Sequence, residues 1–135
     1  MAELRDLVEQ HYDGMRDGDI DESLGVFTPD CVTVMPGAGT LTLDELRPFL
    51  EGFKTAVPDA HMDVRHMYEL SGTCIVEGVF RGTHSGPMRT PQGELPPTGN
   101  EIAVEYADVF VARDGLIGEH RIYYDTVQMM AQMGG

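Results

Sequence analysis

Two residues near the C-terminal end, Asp108 and His120, are of the types that pass protons, and a short turn separates the segments that carry them. Residues 101–112 and 116–124 alternate apolar and polar side chains as half-buried strands do, and Arg113-Asp114-Gly115 between them reads as a hairpin loop. If all three residues form the loop, with Gly115 left-handed, Asp108 stands directly opposite His120 and Tyr106 opposite Ile122. Both pairs then share a face with Val104, Phe110 and Tyr124. If Asp114-Gly115 alone makes a two-residue turn, the pairing shifts by one and Asp108 faces Arg121 as an ordinary cross-strand ion pair. In the first arrangement a carboxylate and an imidazole meet among apolar neighbours, which is an acid/base pair. A structural carboxylate that bonds the backbone or His120 and stiffens the sheet would look the same in sequence, since carboxylates are rarely buried unless paired.

Other residues could line a cavity next to that pair. Tyr12 sits on the apolar face of the first helical segment, where its hydroxyl can donate a hydrogen bond or simply cap a core aromatic. Met35, Phe53, Met62 and Phe80 are apolar positions that either line a pocket or fill it, and nine methionines suit an adaptable interior. Tyr106, Ile122 and Tyr124 share the face of the candidate pair. His84 lies in a long loop, where it either contacts a ligand or is solvated. The sequence does not settle which way His66 and Glu77 face. The expected assignment is therefore Asp108 and His120 as catalytic residues, with Tyr12, Met35, Phe53, Phe80, His84, Tyr106, Ile122 and Tyr124 around the substrate.

These residues must be positioned by helices that come first and strands that follow. Leu4, Leu7, Val8, His11, Tyr12 and Met15 recur at the helical period, and Asp17-Gly18-Asp19 stops that helix and caps the next, which covers residues 20–26. Thr28-Pro29-Asp30 should break the chain before a strand running from Cys31 to Met35. Thr42 and Glu45 have capping-box spacing and open a third helix, which buries Leu43, Leu46, Phe49, Leu50 and Phe53 and ends at Pro58-Asp59. Pro48 inside it predicts a kink or an early 3₁₀ turn. From residue 60 the pattern is alternating: Met62, Val64, His66 and Tyr68 on one face, then a turn at Ser71-Gly72 and a strand from Cys74 to Arg81. Residues 82–99 are crowded with glycine and proline, as in a long binding or lid loop. The order is α+β, in a single domain over residues 1–135.

Composition narrows the function. The chain has 135 residues, a net charge of −14 and only nine Lys or Arg, so phosphate backbones and anionic lipid are poor partners. No apolar run is long enough to span a membrane, and the charged opening residues do not resemble a signal peptide, so a cytoplasmic location is expected. Cys31 and Cys74 read as reduced core thiols, and no Cys/His cluster suggests a metal.

Four phrases, in order, resemble the SnoaL-like polyketide cyclases of the nuclear-transport-factor-2-like superfamily. They are Ala56-Val57-Pro58-Asp59, the loop from Gly82-Thr83-His84-Ser85-Gly86-Pro87 to Pro96-Pro97-Thr98-Gly99, the hairpin Arg113 to Arg121, and the closing Tyr124-Asp125 with Met129 to Gly134. The resemblance implies a cone-shaped, cystatin-like α+β barrel: three N-terminal helices packed in a strongly curved antiparallel sheet, with an apolar pocket at the wide end. It also implies a homodimer through the outer face of the sheet, a hydrophobic small molecule as partner, and cofactor-free aldol cyclisation of polyketides or a related isomerisation. The family's hairpin favours the three-residue loop, and the closing Asp125 reads as structural. The family's acid/base aspartate follows two residues after the histidine of its His-Arg motif. Here that histidine is His120, and the later position holds Ile122, which cannot move a proton. Two readings follow: an enzyme with its carboxylate at Asp108, or a binding protein that keeps the cone without the chemistry.

Overall fold

The computed structural model describes residues 3–90 and 93–134; Pro91 of the long connection and the extreme N-terminus lie outside the described residues. The elements run α1 (Leu4–Asp17), α2 (Ile20–Leu24), β1 (Phe27–Met35), β2 (Gly39–Thr42), α3 (Leu43–Ala56), β3 (His61–Leu70), β4 (Thr73–Thr83), β5 (Met88–Thr90), β6 (Gly93–Leu95), β7 (Glu101–Arg113), β8 (Leu116–Tyr124) and α4 (Thr126–Gln132). A six-stranded curved sheet in the order β2-β1-β8-β7-β4-β3 wraps the helices, and β5 and β6 form a separate small hairpin.

Local chemistry explains most of the boundaries. Gly18, at φ 75, closes α1 and returns its N–H to the carbonyls of Gly14 and Met15, while the Asp19 side chain caps α2 by accepting from the Glu22 N–H. Thr42 and Glu45 bond each other's backbone reciprocally at the start of α3, as the capping box requires. Pro48 leaves α3 helical throughout, because the missing donor falls on an exposed face. Asp125, read as structural, caps α4 by accepting from the N–H groups of Val127 and Gln128. That helix is a fourth, where three were expected.

Other expectations need correction. The sheet is mixed, since β1 and β8 run parallel, which the long span of chain between them allows. β1 begins at Phe27, and Thr28-Pro29-Asp30 is an irregularity within it. β3 does not keep one alternation. Its pairing with β4 slips between Val64 and His66, so Met62 and Met67 lie opposite the buried Phe80 and Val76 while Tyr68 is exposed. The small hairpin interrupts the connection between β4 and β7.

The β7–β8 hairpin positions the site; its loop is the two-residue turn, the second of the two anticipated from sequence, but the register beyond it matches neither expectation. Asp114 and Gly115 both have positive φ, 52 and 78, which makes a two-residue turn with Arg113 opposite Leu116. Continued regularly, that turn would set Asp108 against Arg121. Gly118, however, is an extra residue bulged out of β8: Ala112 pairs with Ile117, and the next rung joins Val111 to Glu119. From there Phe110 faces His120, Asp108 faces Ile122 and Tyr106 faces Tyr124. The bulge restores the parity that the turn removed, so Asp108 and His120 share the inner face as diagonal neighbours.

Arg113 holds the bulge in place. Its guanidinium donates to the Gly118 carbonyl at 3.2 Å, to Thr28 Oγ1 at 3.3 Å and to Asp30 Oδ1 at 2.8 Å, joining the bulge to the irregular start of β1. A Cβ at residue 118 would come within 2.6 Å of Arg113 Cβ, whereas one at Gly52 on α3 would meet nothing within 4 Å. The same substitution should therefore have opposite signs at the two places. In urea denaturation, Gly118→Ala is expected to cost about 1–3 kcal/mol by overpacking, and Gly52→Ala to add about 0.5–1 kcal/mol as an exposed helix position. Equal effects at both sites would show that the bulge does not depend on its missing side chain.

Candidate functional site

The inner faces of β7, β8 and β4 meet α1 and α3 around a cavity of about 90 Å³. Tyr12, Met35, Phe53, Phe80, Tyr106, Asp108, His120, Ile122 and Tyr124 all line it, so the topology brings nine of the ten residues selected from sequence to one place. His84 is the exception, and the expectation for it is corrected. It is fully buried in the long connection, its Nδ1 lies 3.1 Å from Thr98 Oγ1, and its backbone bonds Asn100 and Gly99. It ties the two ends of that loop together and is neither solvated nor among the cavity-lining residues.

Polar atoms gather at one end of the cavity. The Tyr12 hydroxyl donates to Asp108 Oδ2 at 2.6 Å. Asp108 Oδ1 lies 3.6 Å from His120 Nε2, beyond good hydrogen-bond length, and both residues are 2 % exposed. Among the described residues, Asp108 Oδ1, both His120 nitrogens and the Tyr106 hydroxyl make no hydrogen bond. Tyr12 therefore holds one oxygen of the carboxylate, and the other lies toward His120 without a hydrogen bond.

Packing fixes each of these side chains. The His120 ring stacks on Phe110 at 4.3 Å and 14°, directly across the ladder, with Phe27 stacked more distantly at 5.9 Å. Tyr106 lies over Gly78, its partner on β4, where a Cβ would approach the Tyr106 hydroxyl within 2.9 Å and the Asp63 carbonyl within 2.4 Å. Burial, followed by the neighbouring Asp108 charge, pushes the Tyr12 phenol well above its ordinary range. Burial likewise raises Tyr106 and Tyr124. All three tyrosines stay protonated and available as donors.

Helical periodicity marked His11 only as a core position, yet it lines the cavity beside Tyr12. It is 2 % exposed, with Nδ1 2.8 Å from Ser23 Oγ and 3.1 Å from the Ser23 carbonyl, and its ring stands edge-on to His120 at 5.6 Å. The available signal was a titratable residue on an apolar helix face, one position before Tyr12. Its partner Ser23 offered none, because α2 is too short to show a period. Gly14 admits α2 to this position: a Cβ there would meet the Ser23 backbone at 2.5 Å.

Burial, and then His120, lower the His11 pKa from 6.5 to about 4. A histidine kept neutral in the folded state loses stability as pH falls. Below about 6.5 the unfolded chain takes up a proton that the folded chain refuses until about 4. The displacement is worth on the order of 3 kcal/mol across that window. Denaturation between those two pH values should show this loss in the wild type and a flatter profile in His11→Gln. Parallel profiles would mean that His11 titrates alike in both states.

Comparison with known proteins gives this geometry a context. A family model described as SnoaL-like polyketide cyclase matches residues 5–133. IdmH of Streptomyces antibioticus, proposed as a polyketide cyclase, is similar at 24 % identity and a TM-score of 0.82, with 99 % of this chain and 100 % of that one covered. AclR of Streptomyces galilaeus, proposed as a hydroxylase, is similar at 19 % identity and a TM-score of 0.83, with 99 % and 97 % covered. TerC, co-crystallised with polyporic acid, is similar at 21 % identity and a TM-score of 0.77, with 98 % of each chain covered. No curated protein matches. At these identities the solved structures speak for the fold alone, but the family match runs over nearly the whole length: the chain belongs to the SnoaL-like polyketide cyclase family.

Proposed function

We propose that this protein is a cofactor-independent enzyme of the cyclase or isomerase type, acting on a hydrophobic polyketide-like or other carbonyl compound with Asp108 and His120 as its acid/base centre. One observation carries the reading: Asp108 stands directly across the ladder from Ile122. Ile122 occupies the place where the family resemblance puts the acid/base aspartate. Side chains on directly opposed strand positions have Cβ atoms about 5 Å apart. A carboxylate on β7 at that rung therefore reaches the same end of the cavity as one on β8.

The chemistry needs little more than what lines the cavity. Closing a ring by aldol addition, or shifting a double bond beside a carbonyl, needs a base at the acidified carbon and a donor at the developing enolate oxygen. In this reading Asp108 Oδ1, the carboxylate oxygen without a hydrogen bond, is the base. The Tyr106 hydroxyl and the His120 ring are within the same end to donate, and Tyr12 fixes the carboxylate through its other oxygen. Met35, Leu46, Phe53, Phe80 and Met129 supply the apolar remainder for the body of the ligand.

An assay with enolisable aryl 1,3-dicarbonyl methyl esters in D₂O tests this, following deuterium uptake and ring closure. Asp108→Asn is expected to lower the rate by about 100-fold or more while the folded structure is kept. Undiminished turnover would remove Asp108 from the mechanism. Ile122 itself favours a second reading, a protein that binds such molecules and releases them unchanged. Ligands that raise thermal stability and are recovered unaltered would support that reading over the first.

The homodimer belongs to the same proposal. Val34, Tyr68, Leu70 and Tyr123 are exposed apolar side chains on strands of the sheet, with 37–65 % of their surface accessible, and they suit an apolar contact with a second copy. Light scattering should give twice the chain mass for the wild type and the chain mass for Tyr68→Glu/Tyr123→Glu. A monomeric wild type would end this part of the proposal.

A further inference from the structure

Besides Asp108, the cavity is lined by a second side chain that can present a bare nitrogen to a ligand, His11. The Ser23 hydroxyl has one hydrogen, and it goes to the His11 carbonyl at 2.9 Å. The Ser23 carbonyl can only accept, and it lies 3.1 Å from His11 Nδ1. Nδ1 also lies 2.8 Å from the Ser23 Oγ, and the tautomer with its hydrogen on Nδ1 is the one that satisfies all three contacts, which puts the lone pair on Nε2. Ser23 engages the Nδ1 edge, and the ring lines the cavity and packs among Phe27, His120, Tyr12 and Phe110 at ring distances of 5.0, 5.6, 5.7 and 6.0 Å. Among the described residues, the hydrogen bonds of this ring all engage Nδ1. A histidine serving the fold alone would gain by bonding through both nitrogens.

We propose that His11 is a second proton acceptor of the cavity, with Nε2 as the receiving atom. The proposal rests on reading the cavity as an acid/base centre and adds a residue to it. In the step, the C–H bond beside a substrate carbonyl breaks, its proton passes to Nε2, and the electron pair becomes an enolate whose oxygen accepts from Tyr106 or His120. The imidazolium so formed is offset by the carboxylate of Asp108 and returns its proton when the product carbon or oxygen takes it. No other reactant is consumed. The groups that face His11 are Asp108 on β7, His120 on β8, Tyr12 on its own helix and Ser23 on α2, while β1 presents the uncharged Phe27. Burial and His120 keep the ring neutral down to about pH 4, and Asp108 opposes them. Removing the Asp108 charge therefore makes His11 a weaker base but leaves it unprotonated over the whole neutral range.

A probe that asks only for a base in an apolar cavity separates the two acceptors. Loss of the C3 hydrogen of 5-nitrobenzisoxazole breaks its N–O bond and releases the coloured 2-cyano-4-nitrophenolate. The residual elimination by Asp108→Asn should be level from about pH 5 to 8, and adding His11→Gln should lower it about tenfold or more. A double variant equal to Asp108→Asn would overturn the role of His11. An Asp108→Asn variant equal to the wild type would instead count against Asp108 as the base and leave the His11 comparison standing. Histidine ¹⁵N NMR of the wild type tests the premise without any variant. The expected result is a ring protonated at Nδ1 and bare at Nε2 down to below about pH 5; a ring carrying its hydrogen on Nε2 would overturn the proposal.

Discussion

Everything at the cavity depends on one extra residue in β8. Strand side chains alternate with a period of two, so a slip of one residue sends a whole face from core to solvent. The two-residue turn at Asp114-Gly115 alone would place Asp108 against Arg121, and the bulge at Gly118 puts it against Ile122. A bulge leaves a carbonyl that the ladder does not use, and Arg113 takes it, using Thr28 and Asp30 as its other partners. The parallel contact between β1 and β8 is what brings those two residues within reach. The turn, bulge, arginine and mixed sheet therefore make one arrangement, and its result is a carboxylate and an imidazole on a common inner face.

The polar end of the cavity is costly, which is why so much packing surrounds it. Buried groups without hydrogen bonds each cost roughly 1–3 kcal/mol, and Asp108, His120 and Tyr106 all present such atoms. What holds them is steric and aromatic. Phe110 and, more distantly, Phe27 stack with His120, Gly78 makes room for Tyr106, and Tyr12 anchors Asp108 from the opposing helix. Groups fixed in this way need no rearrangement when charge develops on a ligand. A core that only had to be stable would place apolar side chains at these positions, as it does at Val104 and Val76.

The sequence was legible where its signals are local. Helix caps at Asp19 and Thr42, the stop at Gly18, the inner face of β7 and the order of helices before strands all follow from single residues or short periods. The cavity residues of the last hairpin were recoverable because the expected three-residue loop has the same parity as the observed turn plus bulge, so the same side chains point inward. What escaped was set by interruptions of the period. Gly118 and the slip in β3 each shift the alternation by one residue, and an alternating pattern read across such a point assigns the wrong side chains inward. Gly118 did carry a signal, since an isolated glycine within a strand marks a bulge. His84 was misplaced for another reason: a loop rich in glycine and proline looks solvated, yet Gly86 lets this one press against the Thr55 carbonyl and seal its histidine inside.

The position of the carboxylate has a further consequence for how such sites can change. Residues 108 and 122 face each other on the same rung of adjacent strands of one hairpin, and both line the cavity. Moving an acid from one to the other alters neither the backbone nor the apolar volume by much, but it changes which neighbours the acid has. At 108 the carboxylate lies under Tyr12, on the helix that also carries His11, and beside Tyr106 on its own strand. Its free oxygen then points along the sheet toward His120, while Ile122 adds apolar surface beside it. The proton-handling groups are thus drawn toward α1 and away from the end of β8, which makes the first helix, with its adjacent His11 and Tyr12, part of the reacting surface as well as part of the core.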